Sequence, residues 1–569
     1  MNRIPRGFVL AVALSFVTGS MFAQTSIKEP VGHGWHLKDY KESGAYGISL
    51  DKAYKLVKGK KSQTVIVAVI DSGVDTLHED LKEILWHNPK EIPGNGIDDD
   101  KNGYVDDIYG WNFLGGKDGR NVTTDSYERD RVYHMYKDKY EGKEIDPATL
   151  TKEEAQVYEM WKAAKAEIND DSDGPPVDIN RLKAGFRTLS MYDSILQKAM
   201  GKKEFTGKEL EKTEFKDFNS MNAKTALYGF MSDNNMLDMT TKQILEEFKE
   251  YIDQEQRKAD AKQFAPKNYR NDIVQDNYND INDRYYGNNN VYVDNEAAKH
   301  GTHVTGIIGA KRDNKIGVDG VADNVKVMMI RAVPDGDEHD KDIALAIRYA
   351  VDNGAKVINM SFGKSFSPEK KWVDEAAEYA RSKDVLLILA AGNDHKNLDS
   401  VSSFPNPTYQ STGQRAPNWV LVGASSDLTI DQPSLSMDGG EKHSLTAYFS
   451  NYGKKEVDVF SAGMNIYSTV PGGNTYANLQ GTSMAAPIVT GLAALILEYY
   501  PTLSADQVKY VIEKSVVVPA TDVNVPYTDK KVKLSDISKT GGVINAYEAL
   551  KLAATLKGER GTGKELKPF

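Results

Sequence analysis

Short apolar runs separated by helical patterns recur along the chain. Residues 64–70 form a continuous, β-branched run, which is typical of a strand buried on both faces. Similar runs lie at residues 325–330, 356–360, 385–390 and 419–423. Residues 342–353 and 368–382, which lie between runs, have helical periodicity. The alternation predicts an α/β fold of three layers, with helices on both faces of a parallel central sheet.

Two polar residues follow predicted strands. Asp71 comes directly after the first run, and Asn393 comes shortly after the run at 385–390. Because active sites in parallel sheets form at the carboxyl ends of the strands, both residues lie where chemistry is expected. A turn former is the alternative interpretation of each residue taken alone.

Three motifs place an acid, a base and a nucleophile in the chain order Asp, His, Ser. They are residues 69–75 with Asp71, residues 300–306 with His300, and residues 481–487 with Ser483. A serine hydroxyl needs an adjacent base, an imidazole accepts a proton near neutral pH, and a carboxylate orients that imidazole. This order differs from the His-Asp-Ser and Ser-Asp-His orders of other serine hydrolases.

The context of Ser483 favours a nucleophile over a surface or capping serine. Residues 484–499 are apolar almost all round, so they predict a buried helix with Ser483 at its start. Backbone N–H groups at a helix N-terminus favour developing negative charge. Gly481 leaves room for a substrate, and the Asn393 side-chain amide is a second donor for an oxyanion.

Each of the first two motifs contains a rival residue. His303, three positions further along a predicted helix, is expected to face the interior, and Asp75 is expected to brace the turn after Asp71. A zinc site at His300 and His303 is not favoured, because the Glu and the i, i+4 spacing of a zinc-binding helix are missing.

These motifs resemble those of the subtilisin-like (subtilase) serine peptidases, over roughly residues 40–113 and 291–550. The resemblance implies a subtilisin-like fold, a serine endopeptidase acting on proteins or peptides, and catalysis by the first histidine of its motif. It also implies a pocket for the residue before the cleaved bond, formed by Ser361, Phe362, Gly363, Ala390, Ala391, Gly392 and Ser403. No acid is placed there to select Lys or Arg, so an apolar preference is expected.

Two other functions are alternatives to a serine endopeptidase. A catalytically silent, peptidase-like binding protein that uses its insertion to hold a partner stays open as an alternative. A serine esterase of the α/β-hydrolase type is disfavoured by the order of the motifs and by the absence of G-x-S-x-G around Ser483.

A polar segment interrupts the strand and helix pattern. Residues 114–290 show amphipathic helices without parallel strands between them, so a helical insertion is predicted there rather than disorder. Capping boxes at Thr151 and Thr240 mark the starts of two helices, and residues 179–200 form another. The predicted peptidase domain is therefore discontinuous, with residues 61–113 and 291–555, after an N-terminal extension at 24–60 and before a polar tail at 556–569.

The N-terminus indicates export. Arg3 and Arg6 precede the apolar run 8–17, and Ala23 ends a candidate cleavage site, so residues 1–23 are predicted to be a signal peptide of an exported, secreted or periplasmic protein. The run is shorter than the roughly 20 residues of a membrane-spanning helix, and no membrane segment is predicted after it. A net charge of −11 disfavours nucleic acid as a partner. The oligomeric state stays open.

The chain has no cysteine, so an exported form cannot be stabilised by disulfides. An acidic loop at residues 95–107 has the alternating oxygen ligands and the Gly103 turn of a calcium-binding loop. The bidentate Glu of an EF-hand is missing. A structural Ca²⁺ is therefore predicted, and a solvated acidic turn is the alternative. The predicted ligands are Asp98, Asp100, Asn102, Asp106 and Asp107.

Overall fold

The computed structural model describes residues 32–169, 177–234, 236–237, 239–430, 432 and 443–561. The predicted signal peptide and most of the predicted polar tail lie outside the described residues. The chain divides into two compact units. The helical unit is chiefly Arg129–Pro266, and the sheet unit is built from Val31–Glu128, Lys267–Leu428 and Ser434–Phe569.

The sheet unit contains a seven-stranded parallel sheet in the order β2-β3-β1-β4-β5-β6-β7. Its strands are β1 (Val65–Asp71), β2 (Gly110–Asn112), β3 (Val325–Arg331), β4 (Val357–Met360), β5 (Leu386–Ala390), β6 (Trp419–Ser425) and β7 (Val459–Ala462). Two antiparallel pairs lie outside it, β8 (Ile466–Val470) with β9 (Thr475–Leu479), and β10 (Val523–Asn524) with β11 (Lys531–Val532). The five runs predicted as strands are confirmed as β1, β3, β4, β5 and β6.

The helices account for most of the remaining regular structure. They are α1 (Tyr40–Ser43), α2 (Leu50–Val57), α3 (Glu128–Tyr140), α4 (Lys152–Ile168), α5 (Ile179–Met200), α6 (Gly207–Lys212), α7 (Phe218–Asp233), α8 (Thr241–Gln263), α9 (Lys299–Gly309), α10 (Asp340–Asp352), α11 (Lys370–Ser382), α12 (Thr482–Tyr499), α13 (Ala505–Lys514) and α14 (Ala546–Ala553). The fold class is α/β, as predicted, because helices connect the parallel strands of the central sheet. Every strand from β4 to β7 is buried along its whole length, as expected of a parallel sheet.

Helix α12 lies at the centre of the sheet unit. It packs against β1, β4, β5, β6 and β7 and against α9. Within the described residues it is the one helix with the length and apolar composition of a membrane span, but 89% of it is buried inside the protein. That burial is the pattern of a core helix. It confirms the buried helix predicted after Ser483.

The last turn of α12 carries a buried carboxyl group. Glu498 is completely buried, and its Oε1 accepts a hydrogen bond from the Asn324 N–H at 3.1 Å. Burial, together with the neighbouring Asp323 carboxylate, raises the pKa of Glu498 from 4.5 to about 9. The group is therefore protonated in the folded protein at neutral pH.

We expect this carboxyl group to make the fold less stable as pH rises. Its pKa is higher in the folded state, so its stabilising contribution is complete below pH 4.5 and is lost as pH rises towards 9. At about 1.4 kcal/mol per unit, the rise from pH 5 to 7 costs roughly 3 kcal/mol. Glu498→Gln removes this dependence. Urea unfolding at pH 5 and pH 7 measures the change in the free energy of unfolding. The exposed Glu375→Gln is the control and should keep the wild-type change. Equal pH slopes in wild type and Glu498→Gln would contradict the assignment.

The helical unit has its own apolar core, which includes Leu182, Leu189, Leu196, Leu227, Phe230 and Phe248. The capping boxes predicted at Thr151 and Thr240 are confirmed, and a third at Thr206 was not predicted. The helix predicted at 179–200 is also confirmed.

Part of the predicted insertion belongs to the sheet unit. Arg270 is buried there, with its guanidinium donating to the carboxylates of Asp276 and Asp342. The helical unit is therefore narrower than the segment 114–290, whose boundaries remain a prediction.

Candidate active site

Asp71 and His300 are paired at the carboxyl end of the sheet. Asp71 is the last residue of β1, and His300 lies in the first turn of α9. The His300 Nδ1 and Asp71 Oδ1 atoms are 2.8 Å apart. Burial lowers the pKa of His300, but the Asp71 carboxylate outweighs burial and holds that pKa above its usual value. The pair leaves Nε2 as the imidazole nitrogen that can exchange a proton with a substrate or nucleophile.

Close packing brings α9 to the end of β1. A Cβ on Gly301 would lie 2.2 Å from the carbonyl oxygen of Gly73 and 3.1 Å from Asp71 Oδ1. Any larger residue would push the helix, and His300 with it, away from Asp71. The turn after Asp71 is fixed from the other side by the buried Arg331, whose Nε donates to the Ser72 carbonyl at 2.8 Å.

Ser483 is the second residue of α12 and is half-buried. Its backbone N–H belongs to the first turn of the helix, where no intrahelical acceptor exists. Its hydroxyl donates to the Ser361 carbonyl at 3.2 Å. Among the described residues, no hydrogen bond joins Ser483 Oγ to the imidazole of His300. In this structure the hydroxyl is therefore engaged by the Ser361 carbonyl and not by His300.

Asn393 presents its amide group next to Ser483. Its Oδ1 accepts from the Thr482 N–H at 2.8 Å and from the Thr482 hydroxyl at 3.0 Å. In the described part of the chain its Nδ2 has no acceptor, and the residue is exposed. Because Thr482 holds the oxygen, the N–H₂ group is left for a ligand. Thr482 was not predicted as a site residue.

Gly481 keeps the space beside these donors open. Its φ is +149°, and a Cβ there would lie 3.5 Å from both Asn393 Nδ2 and the Ser483 backbone nitrogen. A side chain at this position would be strained and would fill the space that both donors border. An oxyanion placed there can accept two hydrogen bonds.

The rival residues have structural contacts. His303 is fully buried and pairs through Nε2 with the Ala477 carbonyl oxygen, and burial lowers its pKa to about 3. Asp75 accepts the Leu77 N–H at 3.0 Å, which braces the turn. Both arrangements agree with the interpretation made from the sequence.

The predicted pocket residues lie at the ends of two adjacent strands. Ser361, Phe362 and Gly363 follow β4, while Ala390 ends β5 and Ala391 and Gly392 follow it. Lys364 and Phe404 exchange two backbone hydrogen bonds of 2.8 Å, and a Cβ on Gly363 would lie 3.5 Å from Ser403 Oγ. Ser403 is therefore next to Gly363. Among the described residues, the backbone groups of Phe362 and Gly363 have no backbone partner.

The acidic loop brings together only some of its predicted metal ligands. Asp98 and Asp100 lie with Glu91, and one carboxylate oxygen from each lies within 4.8 Å of the others. Glu91 was not predicted, because it lies before the alternating motif. These three carboxylates are hard oxygen donors of the kind that Ca²⁺ prefers.

The remaining predicted ligands are engaged by other groups. Asp106 accepts three backbone N–H groups of residues 94–96. Asp107 accepts from the side chains of Asn88, Asn102 and Tyr349, and burial raises its pKa to about 6. Both carboxylates thus already stabilise the loop.

The family is decided by comparison with known proteins. A model of the subtilase family of peptidases matches residues 62–536. The chain belongs to the subtilase family. This subtilase is 39% identical over 198 residues to the "Thermophilic serine proteinase" of Bacillus sp. (strain AK1), which covers 35% of this chain and 42% of the relative. It is 37% identical over 212 residues to "Subtilisin DY" of Bacillus licheniformis, which covers 37% of this chain and 67% of the relative.

A solved structure of proteases from Pseudoalteromonas arctica PAMC 21717 is also similar to this chain. The similarity covers 92% of this chain and 98% of the other, with 19% identity and a TM-score of 0.43. The match to the thermophilic proteinase spans less than half of that relative's length.

Proposed function

We propose that this subtilase is an exported serine endopeptidase that hydrolyses peptide bonds through an acyl-enzyme on Ser483. The observation that carries the proposal is the 2.8 Å contact of His300 Nδ1 with Asp71 Oδ1. It occurs in a chain whose Ser483 and Asn393 border one open space.

The proposed reaction begins with proton transfer. His300 Nε2 takes the proton of the Ser483 hydroxyl as its oxygen attacks the carbonyl carbon of the substrate. The Ser483 N–H and Asn393 Nδ2 donate to the resulting oxyanion. His300 then gives the proton to the leaving amine, and water hydrolyses the ester. Asp71 keeps the imidazole in the required tautomer and stabilises the imidazolium.

Substrate recognition is proposed to use the free backbone edge after β4. Phe362 and Gly363 offer N–H and C=O groups that an extended peptide can pair with, as in β-strand addition. The adjacent residues Ala390, Ala391 and Ser403 are small, which supports a pocket with an apolar preference.

Cleavage of a peptide with an acetylated N-terminus and an amidated C-terminus tests the endopeptidase assignment. An endopeptidase cuts this peptide internally, and mass spectrometry identifies both fragments. Trimming of the free-ended peptide without cleavage of the blocked one would contradict the assignment.

Export is supported by the signal-peptide pattern of residues 1–23. Expression of the full chain in a Gram-negative host, followed by N-terminal sequencing of the periplasmic and extracellular fractions, tests it. We expect a chain that begins at Gln24. A cytoplasmic chain that keeps Met1 would contradict export.

A structural Ca²⁺ is proposed at the carboxylates of Glu91, Asp98 and Asp100, where the hard oxygen donors converge. The ion would neutralise their charge and hold the loop, without a role in the proton transfers. No cysteine is present to supply disulfides, so an ion of this kind would be a source of stability in an exported protein.

We expect removal of calcium to lower the unfolding temperature. At a Ca²⁺ concentration 100-fold above Kd, binding stabilises the fold by about 2.7 kcal/mol. Thermal unfolding in EDTA and in excess Ca²⁺ measures the difference in unfolding temperature between the two buffers. Asp98→Asn should abolish this difference. The exposed Asp118→Asn is the control and should keep it. The same unfolding temperature for the wild type in both buffers would rule out the site.

A further inference from the structure

The carbonyl group of Ser483 lacks its normal helical partner. In an α-helix this oxygen accepts from the N–H four residues later. In α12 that residue is Pro487, which has no N–H. A carbonyl that is partly withdrawn from water and has no donor is costly, and Ser483 is half-buried, so a replacement donor is expected.

Ser361 supplies the replacement. Its hydroxyl donates to the Ser483 carbonyl at 2.9 Å, and the Ser483 hydroxyl donates back to the Ser361 carbonyl at 3.2 Å. The two residues are thus joined by a reciprocal pair of hydrogen bonds between the end of β4 and the start of α12. This pair sets both the backbone of Ser483 and the resting position of its hydroxyl.

A chain of buried side chains supports Ser361 from behind. Asn359 Nδ2 donates to Ser361 Oγ at 3.0 Å, and Thr490 Oγ1 donates to Asn359 Oδ1 at 2.9 Å. Asn359 and Thr490 are fully buried, and Ser361 is 4% exposed. Every donor points towards Ser483, an arrangement in which each hydrogen bond polarises the next.

We propose that Asn359 and Thr490 are positioning residues for catalysis, acting through Ser361 on the backbone of Ser483. The inference rests on the proposed function, because Ser483 must be the nucleophile. Holding the Ser483 carbonyl restrains the backbone of that residue, from which both its Oγ and its oxyanion-binding N–H project. A displacement of about 1 Å at the reacting atoms lowers the rate by about 100-fold.

Three variants test the chain of contacts. Thr490→Val keeps the side-chain shape but removes the hydroxyl that donates to Asn359. Thr490→Ser keeps a hydroxyl at this position. Ser361→Ala removes the hydroxyl that donates to the Ser483 carbonyl. Thr305→Val is the control, since it removes a buried hydroxyl that has no hydrogen-bond partner among the described residues. Measurements are kcat, KM, the rate of labelling by a fluorophosphonate, and the unfolding temperature.

We expect Thr490→Val and Ser361→Ala each to lower kcat and the labelling rate by about tenfold, with KM unchanged in Thr490→Val. The variant that combines Thr490→Val and Ser361→Ala should lose no more kcat than either single variant, because both substitutions break the same series of hydrogen bonds. Thr490→Ser and Thr305→Val should keep the wild-type kcat. A Thr490→Val enzyme with a lower unfolding temperature but wild-type kcat would overturn the positioning role. A wild type that neither labels nor cleaves would instead overturn the proposed function, and this inference with it.

Discussion

Ser483→Ala is expected to abolish peptide hydrolysis while leaving the fold intact. The variant removes only an oxygen from a half-buried side chain. Without that oxygen no acyl-enzyme can form. Loss of the nucleophile in subtilisin, a relative, lowers kcat by about 10⁶-fold, and we expect a loss of the same order here. Casein and blocked-peptide cleavage measure it.

Control experiments separate loss of chemistry from loss of structure. Ser382→Ala changes an exposed serine whose hydroxyl donates only to the Tyr379 carbonyl, and it should keep wild-type activity. Ser483→Ala should keep the wild-type unfolding temperature and should still bind the peptide. Wild-type turnover in Ser483→Ala would show that another group carries the reaction.

Asp71→Asn is expected to lower kcat by about 10⁴-fold at neutral pH, because the amide stabilises the wrong imidazole tautomer and no longer balances the imidazolium charge. The shape of the side chain is retained, so the loss reports on charge and hydrogen bonding. Asp75→Asn is the matched control, since this neighbouring acid braces only the turn. We expect it to remain active. Equal losses in the two variants would contradict the specific role of Asp71.

The same variant should change the pH profile. The Asp71 carboxylate holds the pKa of His300 above its usual value against the effect of burial. In the wild type, kcat/KM should therefore rise with pH through this raised pKa, because only the neutral imidazole accepts a proton. In Asp71→Asn the remaining activity should begin to rise at lower pH. A profile with an unchanged acid limb would show that Asp71 does not control His300.

The central strands and the candidate site residues could be predicted because their signals are local. The run 64–70 is apolar enough to indicate a strand buried on both faces, and Asp71 follows it directly. The apolar helix after Ser483 is equally evident, as are the capping boxes of Thr151 and Thr240. Each prediction needs only a few neighbouring residues.

Other features depend on contacts between distant segments. Strand β2 has three residues and forms because β3 lies beside it, so no periodicity marks it. Thr482 orients Asn393, and Ser361 supports Ser483, only because the fold places distant loops together. Glu91 joins the acidic loop from outside the motif. Pro487 is the exception, because its missing N–H could have indicated an unpaired carbonyl at Ser483 from the sequence alone.

The most direct test is covalent labelling of the folded wild-type protein with a fluorophosphonate, followed by peptide mapping. Only a serine activated by an adjacent base and an oxyanion site reacts with this probe. We expect one adduct per chain, on the peptide that contains Ser483, and no adduct in His300→Ala. An unlabelled wild type, or an adduct on another serine, would contradict it.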